Sequence, residues 1–172
     1  VKKGQVKEVT FWNTSIALYR GDDGKLAAIQ NRCLHRQLKL THGAVDKCNL
    51  RCAYHGWSFS REGRLEDYSH DSFGKPLIKR QLQSYPVQVR YGLIWLFPGD
   101  PELASERKIP EIPELTGDNP WANFVSDLTW GTHHSMVMDN ICDFSHAFLH
   151  RKYKPFIDAK LTHHEADDDR VY

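Results

Sequence analysis

Over the first 97 residues the apolar positions gather into short runs rich in β-branched and aromatic side chains: Val6 to Trp12, Ser15 to Arg20, Lys25 to Ile29, Trp57 to Ser60 and Val87 to Phe97. Runs of this length, bounded by turn residues, predict strands. Gly21-Asp22-Asp23-Gly24 separates the second run from the third, and Arg61-Glu62-Gly63-Arg64 follows the fourth. Glycine and aspartate accept positive φ, so both stretches predict tight turns, the first closing a hairpin. The expectation is a small all-β domain over residues 1–97. Between Pro98 and Pro120 stand five of the eight prolines, which exclude a continuous helix or a central strand there. Residues 98–121 are therefore expected to be a connection, and 122–172 a second part. In that part Ser135 to His150 predicts a helix. At about 100° per residue, Asp139, Asp143, His146 and His150 fall on one of its faces, at steps of four, three and four. Ala159 to Glu165 is expected to begin a further strand, and the charge cluster from Glu165 to Arg170 reads as a solvated turn. The fold class expected is α+β: an all-β domain followed by the start of an α+β domain.

Composition then removes several classes of function. Lysine plus arginine number 23 and aspartate plus glutamate 22, so the chain lacks the basic field of a nucleic-acid binder. It contains no run of about 18 apolar residues, and Val1-Lys2-Lys3-Gly4 lacks the apolar centre of a signal peptide. A soluble, cytoplasmic protein without membrane association is expected. Four cysteines would suffice for two disulfides, but Cys33 and Cys52 stand beside histidines at ligand spacing, which in a reducing compartment reads as metal binding. Cys48 and Cys142 have no such context and read as small buried apolar residues.

The candidate chemistry lies first in Cys33-Leu34-His35 and Cys52-Ala53-Tyr54-His55, a C-x-H and a C-x-x-H separated by sixteen residues. Two cysteines and two histidines on two loops fit a Rieske centre, where thiolates bind one iron and neutral imidazoles the other. His42-Gly43 and His55-Gly56-Trp57 allow tight backbone beside such a centre, and Trp57 would shield it from water. Buried structural cysteines with satisfied histidines, or a Cys2His2 zinc site, use the same residues and stay open.

Cys33-Leu34-His35-Arg36 with Cys52-Ala53-Tyr54-His55-Gly56-Trp57 resembles the Rieske domain of aromatic-ring-hydroxylating and related oxygenases, over about residues 1 to 97. The resemblance implies a [2Fe-2S] cluster on Cys33, His35, Cys52 and His55. Family members commonly carry proline where Leu34 stands. Respiratory-type Rieske proteins carry a disulfide whose cysteines would fall at Leu38 and Tyr54, and a serine where this chain has Trp57. Those departures imply the low-potential branch of oxygenases and ferredoxins.

The later segment resembles the oxygenases' N-x-x-D-x-x-H-x(3 or 4)-H element, matched by Asn140, Asp143, His146 and His150. By that likeness His146 and His150 are two ligands of a mononuclear Fe(II), which takes two histidines and a carboxylate and keeps positions open for O2 and substrate. Asp143 would bridge an iron-bound histidine to a Rieske histidine of the neighbouring subunit in a homotrimer, with Asn140 in support. The third, carboxylate ligand is expected downstream of Tyr172, since Asp139 and Asp158 do not match the family position; both ends of the chain are expected to be truncated. Residues 122–172 would open a catalytic domain of the helix-grip type. The implied activity is that of a terminal oxygenase component. It would take electrons from an NAD(P)H-dependent reductase or a ferredoxin, and hydroxylate or oxidatively demethylate a small organic substrate. The rival is a Rieske ferredoxin, which leaves residues 98–172 unexplained. The adjacent pairs His133-His134 and His163-His164 read as surface or packing histidines, because consecutive residues do not face one ligand. Arg32, Arg36, Lys39 and Arg51 surround the cluster loops and are expected either to steer an acidic electron donor or to be ordinary solvated charge.

Overall fold

A computed structural model of the 172-residue chain describes residues 1–68, 79–117, 121–122, 124–143 and 145–152. The chain divides into two compact units, Val1–Asn123 and Phe124–Tyr172.

The first unit is built from short antiparallel strands. Strands β1 (Val6–Phe11), β2 (Thr14–Arg20), β3 (Leu26–Gln30) and β8 (Ser84–Tyr85) form one sheet in the order β1-β2-β3-β8. Strands β4 (Ala44–Asp46), β5 (Asn49–Arg51), β6 (Ser58–Phe59) and β7 (Leu65–Asp67) form a second, in sequence order. The predicted turn at Gly21–Gly24 closes the β2–β3 hairpin, with Gly24 at φ +81. The predicted turn at Arg61–Arg64 lies between β6 and β7, with Gly63 at φ +80; a Cβ there would overlap the Leu82 carbonyl oxygen, so the turn requires glycine twice over.

Strand β2 shows why its sequence is apolar without a break. Ile16 and Leu18 point into one hydrophobic cluster with Ala28 and Tyr85, while Ala17 and Tyr19 point into another with Ala27, Ile29, Leu40, Leu50, Phe59 and Leu82. Side chains alternate between faces, so a strand covered on both sides loses the polar half of its pattern. The second of these clusters lies between the two sheets and contains Cys33, Cys52 and Trp57.

Two expectations are corrected. The single run from Val87 to Phe97 is a hairpin of β9 (Val87–Arg90) and β10 (Leu93–Leu96). Tyr91 at φ +59 and Gly92 at φ +73 turn the chain back, as a two-residue hairpin turn demands. In the second unit, the predicted helix Ser135–His150 is broken. Helix α1 covers His134–Cys142; Asp143 leaves it with φ −91 and ψ 103, and 3₁₀ turns over Ser145–His150 follow. Asp143 fits the stop, since a short polar side chain competes with the helical backbone for hydrogen bonds. The proposed single helical face through Asp139, Asp143, His146 and His150 therefore does not form. Among its described residues the proline-rich stretch holds the 3₁₀ turns Pro101–Ser105 and Pro113–Leu115, each opened by a proline at its first position. The predicted strand Ala159–Glu165, the pair His163-His164, Asp158 and the Glu165–Arg170 turn lie outside the described residues. No helix among the described residues is long and apolar enough to cross a membrane.

Candidate metal centre

The two cysteine-histidine motifs occupy loops of the same shape. In the first, the Cys33 N–H donates to the Leu38 carbonyl (2.8 Å) and the Gln37 N–H to the Cys33 carbonyl (3.0 Å). In the second, the Cys52 N–H donates to the Trp57 carbonyl (2.8 Å) and the Gly56 N–H to the Cys52 carbonyl (3.1 Å). The fourth residue after each cysteine has positive φ, Gln37 at +63 and Gly56 at +71. One backbone fold is thus used twice, with histidine two residues after the cysteine in the first loop and three after it in the second.

These loops bring the four side chains together in pairs. Cys33 and Cys52 are buried free thiols, 2% and 3% exposed, close enough to hydrogen-bond one another. Burial, with the Cys52 sulfur beside it, pushes the Cys33 thiol up to about 11. A thiol raised in this way gives up its proton readily only where a cation compensates the thiolate charge, as a bound metal does. The His35 and His55 rings lie 4.4 Å apart at the half-buried end of the loops. Among the described residues no three His, Cys, Asp or Glu side chains converge where one ion would sit. A tetrahedral zinc needs four convergent ligands; a thiol pair beside an imidazole pair suits two metal atoms with two protein ligands each. The donor set therefore fits a dinuclear iron-sulfur cluster.

Trp57 is 9% exposed and stacks on His35, 4.8 Å between centroids and 6° between planes. The indole walls off the His35 side as the sequence suggests, while Tyr54, 3.8 Å from the His55 ring, is 62% exposed. Gly43 makes a close approach, but to backbone: a Cβ there would overlap the Arg51 carbonyl oxygen, one residue before Cys52.

Two supports for the loops escaped the sequence reading. Asn31, 3% exposed, sits two residues before Cys33. Its amide nitrogen donates to Ser15 Oγ (2.9 Å) and Thr41 Oγ1 (3.0 Å), and its oxygen accepts from the Thr41 N–H (2.9 Å). The first loop is thereby tied at its entry and exit. Ser15 continues the chain of bonds to Glu8 (2.6 Å), which also accepts from Lys39 (2.8 Å); the Lys39 ammonium holds the Glu8 carboxyl below its usual range. Arg51 bonds Asp46 and the Gly56 carbonyl on the second loop. Lys39 and Arg51 are thus engaged in ion pairs within the fold, while Arg32 and Arg36 are exposed. A polar residue directly after a buried strand, and an arginine directly before a candidate ligand cysteine, were the available signals.

In the second unit, the Asp143 carboxylate lies 3.4 Å from His146 Nδ1, and the His146 and His150 rings are 5.1 Å apart. Asn140 is exposed on α1. Asp143 and His146, three residues apart, thus stay side by side although the helix ends at Cys142. His133 caps α1, its Nδ1 accepting from the Ser135 N–H (3.3 Å), and its ring lies 4.1 Å from that of His134. Cys142, expected to be buried, is exposed, and Cys48 is half-buried.

A cluster-holding β domain is the class that these loops define. Residues 1–86, half of the chain, match the Rieske [2Fe-2S] domain, and the chain belongs to that family. The similarity continues beyond the cluster domain. The 4beta-methylsterol monooxygenase of Methylococcus capsulatus is 46% identical over all of this chain and 48% of its own length. The oxygenase component of dicamba O-demethylase from Stenotrophomonas maltophilia is 33% identical over 83% of this chain and 42% of its own length. A crystal structure of dicamba monooxygenase bound to 3,6-dichlorosalicylic acid superposes with a TM-score of 0.81 at 28% identity, over 98% of this chain and 50% of that one. The chain spans about half the length of these relatives, which are Rieske-type monooxygenases and demethylases.

Proposed function

We propose that this chain belongs to the terminal oxygenase component of a Rieske non-heme iron oxygenase system. The observation that carries the reading is the extent of the likeness: similarity to a monooxygenase runs through the whole chain, whereas an electron carrier accounts only for the cluster domain. In this reading Cys33, His35, Cys52 and His55 hold the [2Fe-2S] cluster, and His146 and His150 hold a mononuclear Fe(II). Residues 1–97 form the cluster domain, 98–121 the connection, and 122–172 part of an α+β catalytic domain of helix-grip type. When bound, the cluster supplies single electrons and the iron activates O2.

The roles of the side chains follow from their surroundings. Cys33 and Cys52 offer the buried sulfur pair, and Trp57 fixes the His35 ring by stacking while excluding water from it. The Asp143 carboxylate lies 3.4 Å from His146 Nδ1, where it favours the tautomer with the proton on that nitrogen, leaves Nε2 to ligate and sets the ring's orientation. Asn140, in the last turns of α1, supports the segment that carries Asp143. The partners are an NAD(P)H-dependent reductase or ferredoxin, O2 and a small organic substrate. The assembly is a cytoplasmic homotrimer in which Asp143 faces a neighbour's cluster domain.

The test uses the full-length protein. Iron and sulfide analysis should give two sulfides and three irons per chain, and the reduced protein should show the paramagnetic signal of a histidine-ligated cluster. With a reductase and NAD(P)H, O2-dependent conversion should be sought on a methylsterol and on a methoxylated aromatic acid, the classes that the relatives' names suggest. Two irons and no oxygen consumption with any substrate would make the protein a carrier instead.

A further inference from the structure

We infer that Arg51 is a positioning residue for the second cluster loop, fastening its positive-φ hinge so that the His55 ring keeps its angle to His35. This inference rests on the ligand assignment proposed above. Arg51 ends β5 and immediately precedes Cys52, so its backbone leads into the loop while its side chain returns to the loop's far side. There Nη1 donates to the Gly56 carbonyl at 3.2 Å. The same guanidinium is held from behind: Nε and Nη2 both reach Asp46 Oδ2, at 3.1 and 2.8 Å, and Nη1 lies 3.5 Å from Asp67 Oδ2. Asp46 belongs to β4 and Asp67 to β7, the two outer strands of the sheet. The side chain therefore joins both edges of that sheet to one carbonyl of the loop.

That carbonyl belongs to Gly56, the residue at φ +71 that follows His55 directly. Cys52 and Trp57 pin both ends of the loop in the buried cluster, so rotation of the Gly56 peptide between them is the motion by which the His55 ring would swing. A planar fork with several fixed donors is suited to holding two carboxylates and a carbonyl at once; an ammonium is a single point and is not. Arg51, Asp46 and Asp67 are 38%, 45% and 56% exposed at their side chains, so the ion pairs are screened by solvent and add little to folding stability. Their contribution is to geometry. The first loop is fastened differently: the buried, uncharged Asn31 bonds it directly, and its ion pair, Glu8 with Lys39, is reached only through Ser15.

The experiment compares the full-length holoprotein with Arg51→Gln and Arg51→Lys. The readouts are the paramagnetic spectrum of the reduced cluster, the rate at which an iron chelator bleaches the visible absorption, and the thermal midpoint of unfolding. Arg51→Gln should bleach roughly tenfold faster, the lower end of the usual loss when a ligand's outer support is removed, and should show altered g-values, with the midpoint almost unmoved. Arg51→Lys should keep the charge yet fail to restore either cluster property. Normal bleaching and g-values in Arg51→Gln would overturn the inference. So would full rescue by lysine, since charge alone would then suffice, or a lowered midpoint with an unchanged spectrum, since the role would then be ordinary stability. A parent protein that binds no cluster, or a Cys52→Ser variant that keeps one, would instead refute the ligand assignment.

Discussion

Replacing Asn31 by alanine removes a side chain that is 3% exposed and makes three hydrogen bonds of 2.9 to 3.0 Å. The three do not count equally. The Thr41 N–H has a fixed direction and loses its acceptor, a loss of about 1–3 kcal/mol for a buried donor left unmade. The Ser15 and Thr41 hydroxyls rotate, and Ser15 already donates to Glu8, so their two bonds contribute about 0.5 kcal/mol each, the low end of the net range. The sum is about 2–4 kcal/mol, a large share of the roughly 5–15 kcal/mol that holds a typical domain. Urea unfolding of the parent and the variant, followed by circular dichroism, measures the difference at unchanged slope. A double-mutant cycle with Thr41→Val, which removes the hydroxyl partner and leaves the Thr41 N–H in place, should give a coupling of about 0.5 kcal/mol. The same variant should also shed its cluster sooner, since Asn31 ties the entry of the first loop to its exit. A loss below about 1 kcal/mol, with no coupling to Thr41, would refute the reasoning.

Gly43→Ala would drive a methyl group into the Arg51 carbonyl and should cost about 2–3 kcal/mol, as overpacking against backbone does; denaturant unfolding would show it, and a variant within 0.5 kcal/mol or so of the parent would mean that the backbone yields easily. Trp12 and Asn13 hold φ of +41 and +63 in the β1–β2 turn, and asparagine tolerates this conformation better than a bulky aromatic. Trp12→Asn should therefore raise stability by about 0.5 kcal/mol, read as a higher melting temperature; a fall would show that the contact with Phe11, 4.7 Å away, matters more. Cys52→Ser should abolish the visible absorption of the cluster while leaving iron at the second site measurable by metal analysis. Asp143→Asn should retain both metals and slow product formation, and undiminished turnover would argue against its bridging role.

The parts of this architecture legible in the sequence are those whose signal is local. C-x-H and C-x-x-H carry their own spacing, and the Gly21–Gly24 turn announces the β2–β3 hairpin through glycine and aspartate. Strands β4, β5, β7 and β8 are two or three residues long, too short for alternation to emerge. The Tyr91-Gly92 turn was hidden because a tyrosine occupies a position where glycine or asparagine would have flagged it. Helix α1 was overextended because helical spacing between His146 and His150 persisted after Asp143 had ended the helix. The supports at Asn31 and Arg51 were illegible for another reason: their partners, Ser15, Thr41, Asp46 and Asp67, come together only when the sheets have formed.

The burial of Trp57 gives the protein an internal lamp. Of its five tryptophans, Trp12, Trp121 and Trp130 are exposed and Trp95 is half-buried, leaving Trp57 as the one indole sealed inside the fold. Its emission should lie to the blue of the other four. Because the ring rests on His35, opening of the cluster loops would wet it and shift that light to the red, so the state of the metal centre could be followed by fluorescence without any added dye.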